Sequence, residues 1–313
     1  MKQQKIIPPN DPNRAMGIAY GLLAFTTWGF LPLYWKMLDQ IPATEILAHR
    51  IFGSLVFVTI ILLFTKEFSS LKGVLTNRKL LFPIFISSII LSFNWGIFIW
   101  GVNSGHVVEV SMGYYINPLV VVTLGILVLK EKCSFWQFVA IGLASIGVII
   151  MTVQYGRIPW LGLFLAVSFA LYGLSKKLVK VESLPGLAIE TALVAPFALA
   201  FIIFKQIQGT GAIGVVSMPV VIALFGAGIA TAAPLLWFAN ATKRVELSMV
   251  GFMQYIAPTI NLYLGIFVFH EPFTKIHLLS FSFIWTALLI YSVSKTSFMK
   301  KLEPTKKEKA FQT

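Results

Sequence analysis

Asn94 and Trp95 stand side by side in the middle of an apolar run. There a carboxamide can donate and accept hydrogen bonds, and an indole can stack on a ligand while donating one. Tyr114, Tyr115 and Asn117 precede Pro118 in the next run, and Gln254 and Tyr255 precede Pro258 in a later one. Proline removes a backbone donor and can free a carbonyl one turn earlier, so each cluster offers a polar break where a solute could be held. Trp28 beside Gly29 reads as a wall position, or as close helix packing. The plainer readings stay open beside these: helix-to-helix hydrogen bonds for the amides, and a kink for packing alone at the prolines.

Ionisable residues also fall inside apolar runs, where charge is costly. His49 and Arg50 lie near the start of one run and Glu190 near the start of another. Each reads as a gate, or as a group that responds to protons or substrate. The alternative is an end-of-helix charge reaching the interface, or a structural ion pair. Glu131 and Glu271 end corresponding runs beside Lys130 and His270 and read as interfacial, solvated carboxylates. Trp100 and Trp237 fit an interfacial aromatic belt.

Nothing in the chain points to an enzyme. It has no HExxH and no phosphate-binding glycine loop, its four histidines lack metal-cluster spacing, and its two aspartates, Asp11 and Asp39, lie outside the apolar runs. No cofactor is implied.

These residues must be positioned by membrane-spanning helices. Of the 313 residues 57% are hydrophobic and 12% charged, and the mean hydropathy is +0.83. That is more apolar surface than one soluble core hides. The runs are mostly about 17 to 23 residues long, as a helix needs to cross a ~30 Å hydrocarbon layer. They are continuously apolar, unlike the alternating strands of a membrane barrel. Ten spans are predicted: 16–37, 46–64, 80–100, 110–129, 135–153, 158–175, 187–204, 218–239, 247–269 and 277–293. The segment before Met16 carries Lys2, Lys5, Arg14 and three prolines and is no cleaved signal. The Lys-rich tail from Lys295 is expected to be unstructured. Cys133, the single cysteine, excludes an intrachain disulfide.

Charge sets the expected orientation. With both termini cytoplasmic, the inner segments hold twenty Lys and Arg residues and the outer ones only Lys36, Arg157, Lys205 and Lys275, leaving Arg50 within a span. The net charge of +13 is then a matter of topology and of anionic lipid headgroups. Nucleic-acid binding is not needed to explain it.

An internal repeat is the most specific signal. Tyr115-Ile116, Pro118, Leu124-Gly125-Ile126, Val128 and Glu131 recur 140 residues later as Tyr255-Ile256, Pro258, Leu264-Gly265-Ile266, Val268 and Glu271. Trp100, Asn103, Glu109, Ser111 and Met112 recur at an offset of 137 as Trp237, Asn240, Glu246, Ser248 and Met249. The difference is a three-residue insertion just before Tyr255. Trp28-Gly29 answers loosely to Tyr172-Gly173, and His49-Arg50 to Glu190-Thr191. Each half, 16–153 and 158–293, holds five spans, an odd number, so the halves insert upside down to one another. The fold expected is an all-α integral membrane protein of ten helices in two inverted five-helix repeats, flanked by segment 1–15 and a basic tail, 294–313. Such repeats are a recurrent build of secondary transporters, with a site near the midplane.

At family level, GLLAFTTWGFLPLYWK (21–36), PATEILAHR (42–50), NWGIFIWGVNSGHVVEVSMGYYINPL (94–119), LVLKE (127–131) and FMQYIAPT (252–259) together resemble the RarD branch of the EamA transporters, within the drug/metabolite transporter superfamily. The resemblance implies a carrier of two EamA domains in the bacterial cytoplasmic membrane, associated with export of drugs or of metabolites such as amino acids. Expected partners are a small organic solute and membrane lipids, with protons a candidate coupling ion. A lipid flippase or a non-transporting scaffold remains the alternative.

Overall fold

The computed structural model describes residues 12–65, 68–104, 106–270 and 274–294, with 296, 299 and 302 from the tail. Glu271 and nearly all of the tail lie outside the described residues. The first half contains α1 (Pro12–Lys36), α2 (Ala43–Thr65), the short α3 (Phe68–Thr76), α4 (Arg78–Asn103), α5 (Val107–Leu127) and α6 (Phe135–Tyr155). The second contains α7 (Trp160–Leu178), α8 (Ser183–Ile207), α9 (Met218–Arg244), α10 (Leu247–Gln254), α11 (Ile256–Phe267) and α12 (Lys275–Val293). With α10 and α11 taken as one broken span, ten helices are long and apolar enough to cross a membrane, and they match the ten predicted runs. Below, the face where α1 starts is the N-terminal face, and the opposite one is the far face.

Helix packing obeys the internal symmetry. If α1, α2, α4, α5 and α6 correspond to α7, α8, α9, α10–α11 and α12, each principal contact has its mate. The contact of α5 with α7 answers that of α11 with α1. Likewise α4 against α7 and α8 answers α9 against α1 and α2. The pairs α2–α8, α6–α12 and α5–α10 are their own mates. Most of this packing joins one half to the other, so the core belongs to neither alone. Lipid gives helices no hydrophobic reason to associate, and close backbone approach takes over. Gly113 and Gly162 let α5 and α7 touch: a Cβ on Gly162 would stand 2.6 Å from the Glu109 carbonyl oxygen.

Local structure repeats too. Ser134 opens α6 and Thr274 opens α12, each with a capping box closed by the residue three later, Gln137 and His277. These positions are 140 residues apart. So are Lys130 and His270, the non-glycine residues with left-handed backbone among the described residues, at φ 54° and 55°.

The three-residue insertion has a structural outcome. Between Met112 and Tyr115 α5 runs unbroken and continues through Pro118. The longer stretch from Met249 to Tyr255 would turn the rest of its helix by about 300° at ~100° per residue. The chain breaks there, Tyr255 separating α10 from α11 with its N–H bonded to the Phe252 carbonyl at 3.2 Å. The polar break expected at both prolines thus occurs in the second half alone. In α8, the helix passes through Pro196.

Glu131 overturns the expectation of a solvated carboxylate. Its side chain is 4% exposed and accepts from the backbone N–H groups of Leu247 at 2.6 Å and Ser248 at 2.8 Å. It therefore caps α10, where unpaired amides and the helix dipole favour negative charge. The repeat-related Glu109 and Glu246 grip the first helix of the opposite half: Glu109 accepts from the Leu161 N–H at 2.9 Å, and Glu246 pairs with Arg14 at 3.2 Å.

Candidate functional site

Arg50 lies two turns into α2 from the far face, about 10 Å deep at 1.5 Å per residue. Its Nε donates to Thr231 Oγ1 on α9 at 2.9 Å, and that hydroxyl donates to the Ala227 carbonyl at 2.8 Å. The guanidinium carbon lies 4.7 Å from the Trp35 ring centre and 6.0 Å from that of Trp95, so two indoles border it. The Tyr114 ring stands edge-on to Phe98, ring centres 6.5 Å apart. Arg50, Trp35 and Trp95 are half-buried and Tyr114 is 51% exposed. Arg50 and the two indoles thus form one part-exposed cluster, and its Trp95 borders a narrow crevice. No carboxylate pairs with Arg50 among the described residues.

Glu190 occupies the matching depth in α8, two turns from the N-terminal face. It is buried and neutralised: Lys176 Nζ lies 2.7 Å from Oε1, and the Tyr172 hydroxyl donates to Oε2 at 3.1 Å. Lys176, counted from sequence as a loop cation, is 5% exposed, because α7 carries it back into the bundle beside Glu190. Lys243 seals the same level, bonded to the Val181 carbonyl and to Ser183 Oγ at 3.1 Å. Arg50 and Glu190 do not meet.

One face of α4 runs from Trp95, beside Arg50, to the level of Glu190. Ser88, Leu91, Ser92 and Trp95 border a narrow crevice against α2 and α8 that reaches Glu190. A second crevice, bordered by Ile84, Ser87, Lys176 and Lys243, begins on the other side of Glu190. The α4 residues recur at helical spacing, so one strip of α4 faces both. Ser88 Oγ also donates to the Glu190 carbonyl at 3.0 Å.

The remaining candidates fall elsewhere. Asn94 donates to the Leu165 carbonyl at 3.0 Å and to Ser168 Oγ at 2.8 Å, and Asn117 donates to the Ala166 carbonyl at 2.8 Å. Both amides therefore hold α7. Tyr115 turns edge-on to Phe281, ring centres 5.5 Å apart. His49 is buried edge-on to Phe225 at 5.9 Å. Gln254 and Tyr255 are buried at the α10–α11 break, and neither the Gln254 amide nor the Tyr255 hydroxyl has a hydrogen-bond partner among the described residues.

Trp28 joins an aromatic cluster. It lies 5.8 Å from Phe169 and 5.7 Å from Phe238, while Tyr172 stacks on Phe238 at 6.2 Å. By the 137-residue offset Phe238 stands where the first half has Gly101. The rings wedge α9 between α1 and α7 towards the N-terminal face, whereas α4 packs less extensively than its mate α9.

Sequence reading missed Trp35, Thr231 and Lys176. Trp35 was findable, since it follows Trp28 by seven residues, two helical turns on the same face of α1. Thr231 carries no such mark.

Ten apolar helices in two interlocked inverted halves, with charged groups held between them, define a membrane transporter. Residues 15–153 match the EamA-like transporter family. The chain is 47% identical to the uncharacterized transporter YojE of Bacillus subtilis, over 91% of this chain and 96% of that one. It is 40% identical to protein RarD of Streptomyces exfoliatus, over 88% and 87%, and 37% identical to protein RarD of Escherichia coli, over 88% and 93%. A protein crystal structure shares the fold, with a TM-score of 0.70 at 15% identity over 93% of this chain and 100% of that one. The chain belongs to the RarD branch of the EamA transporters and is a multi-pass protein of a bacterial membrane.

Proposed function

We propose that the chain exports a small organic metabolite or drug across the cytoplasmic membrane by alternating access, along the α4 strip between Arg50 and Glu190. The observation that carries this reading is the continuity of that strip, which borders two successive crevices meeting at Glu190. Inverted halves exchange two arrangements in such carriers. The unequal packing of α4 and α9 supports one of them: the Phe238 cluster and the Lys176–Glu190 pair close the N-terminal side, and Arg50 faces the far side. In the exchanged arrangement α4 takes up the tight packing and the Lys176–Glu190 pair parts. A freed Glu190 carboxylate is then the group through which protons couple. The charge distribution supports cytoplasmic termini, and with that orientation the far face is the outer one.

Cysteine accessibility tests this without knowledge of the solute. In a Cys133→Ser background, Ser92→Cys and Ser88→Cys are exposed to a membrane-impermeant maleimide from each side of oriented vesicles, with and without an imposed proton gradient. Labelling that changes side as the gradient changes is the expected result. Labelling confined to one side under every condition overturns alternating access, and protein-dependent movement of labelled lipid without that switch favours a flippase.

A further inference from the structure

The chemistry around Arg50 points beyond transport in general to a class of solute. A guanidinium inside the hydrocarbon is costly unless compensated by charge. The carboxylates of the neighbouring helices are engaged elsewhere. Glu45 Oε1 accepts from the Ala212 N–H at 2.6 Å and its buried Oε2 has no hydrogen-bond partner among the described residues, while Glu109 holds Leu161 and Tyr155 and Glu190 is paired with Lys176. Thr231 occupies Nε alone. That bond fixes the plane of the guanidinium and leaves its two terminal nitrogens as a fork, the geometry that grips a carboxylate with two parallel hydrogen bonds.

The walls narrow the class further. Trp35 and Trp95 offer aromatic faces beside the fork. The nearest further cation along α1, Lys36, pairs with Asp39 at 3.3 Å, so the site presents one positive charge. A dianionic phosphate would lack its second partner, and among the described residues no carboxylate lies within ion-pair distance of Arg50.

We propose that Arg50, with Trp35 and Trp95, forms a binding site for an organic monocarboxylate with a flat apolar body. The assignment rests on the carrier reading, but its test does not depend on transport.

The test is quenching of tryptophan fluorescence and thermal stabilisation of the full chain in detergent by phenylacetate, phenylacetamide, phenethylamine and benzylphosphonate, which share one ring and differ in charge. Phenylacetate is expected to bind roughly tenfold or more tighter than the amide, as a charge-assisted bond implies. Arg50→Gln removes that preference and leaves the weak amide binding in place. Arg50→Lys, which keeps the charge but loses the fork, recovers part of it. Equal binding of the four probes by the native chain overturns the assignment, as does absence of phenylacetate binding. A stronger response to the phosphonate or the amine, or a preference unchanged in Arg50→Gln, overturns it too. The cysteine experiment reads out the carrier mechanism independently, so the two can fail separately.

Discussion

Gly53 of α2 and Gly228 of α9 meet backbone to backbone: a Cβ on Gly228 would fall 2.1 Å from the Gly53 carbonyl carbon, whereas one on Gly53 would stand 3.1 Å from the Gly228 Cα. The pair brings Arg50 within reach of Thr231 and lets Ser54 Oγ donate to the Gly228 carbonyl at 3.1 Å. Its two members are therefore unequal. Gly228→Ala should lower unfolding stability in detergent by about 1–3 kcal/mol, the usual cost of overpacking, and Gly53→Ala by less. Equal effects would show that the helices are free to slide apart.

The Lys176–Glu190 pair calls for a double-mutant cycle. Lys176→Met or Glu190→Gln alone leaves a partner without its counter-charge or ion pair in a buried setting, at a cost of about 3–5 kcal/mol. The double substitution should cost less than the sum of the two. Thermal unfolding of the four proteins measures this, and additivity would mean that the two side chains do not interact.

Left-handed backbone at Lys130 and His270 is strained for any residue with a side chain. Lys130→Gly and His270→Gly are therefore expected to be neutral or stabilising by up to about 1 kcal/mol, despite the loss of side-chain atoms. A clear drop in melting temperature for both would contradict the repeated turn.

Asn94 and Trp95 are adjacent in sequence and separate in consequence. Asn94→Ala removes two hydrogen bonds to α7 and should destabilise the protein by about 1–3 kcal/mol. Trp95→Ala strips one aromatic face from beside Arg50 and one wall from the crevice that reaches Glu190, and should reduce solute movement in vesicles while the protein stays inserted. Native transport in Trp95→Ala would remove that residue from the site.

Much of this architecture is written in the sequence, but unevenly. The ten spans follow from apolar length. The inversion follows from an odd span count together with the repeat, and the insertion before Tyr255 already marks where α10 and α11 part. The site was harder to see. Arg50 and Trp95 stand out because their side chains are unusual in lipid. Their partners do not, since Thr231 is an ordinary threonine in an apolar helix and its role arises only where α2 crosses α9. Charge tallying also misplaced Lys176: a cation at a span end counts towards topology whether it faces water or a buried glutamate.

The interlocking of the two halves also decides what either could do alone. Because the main helix contacts run between the halves, a five-helix half separated from its mate would turn towards lipid the surfaces it now buries. It would also lose polar contacts that cross the seam, among them the Glu131 cap of α10 and the Arg14–Glu246 pair.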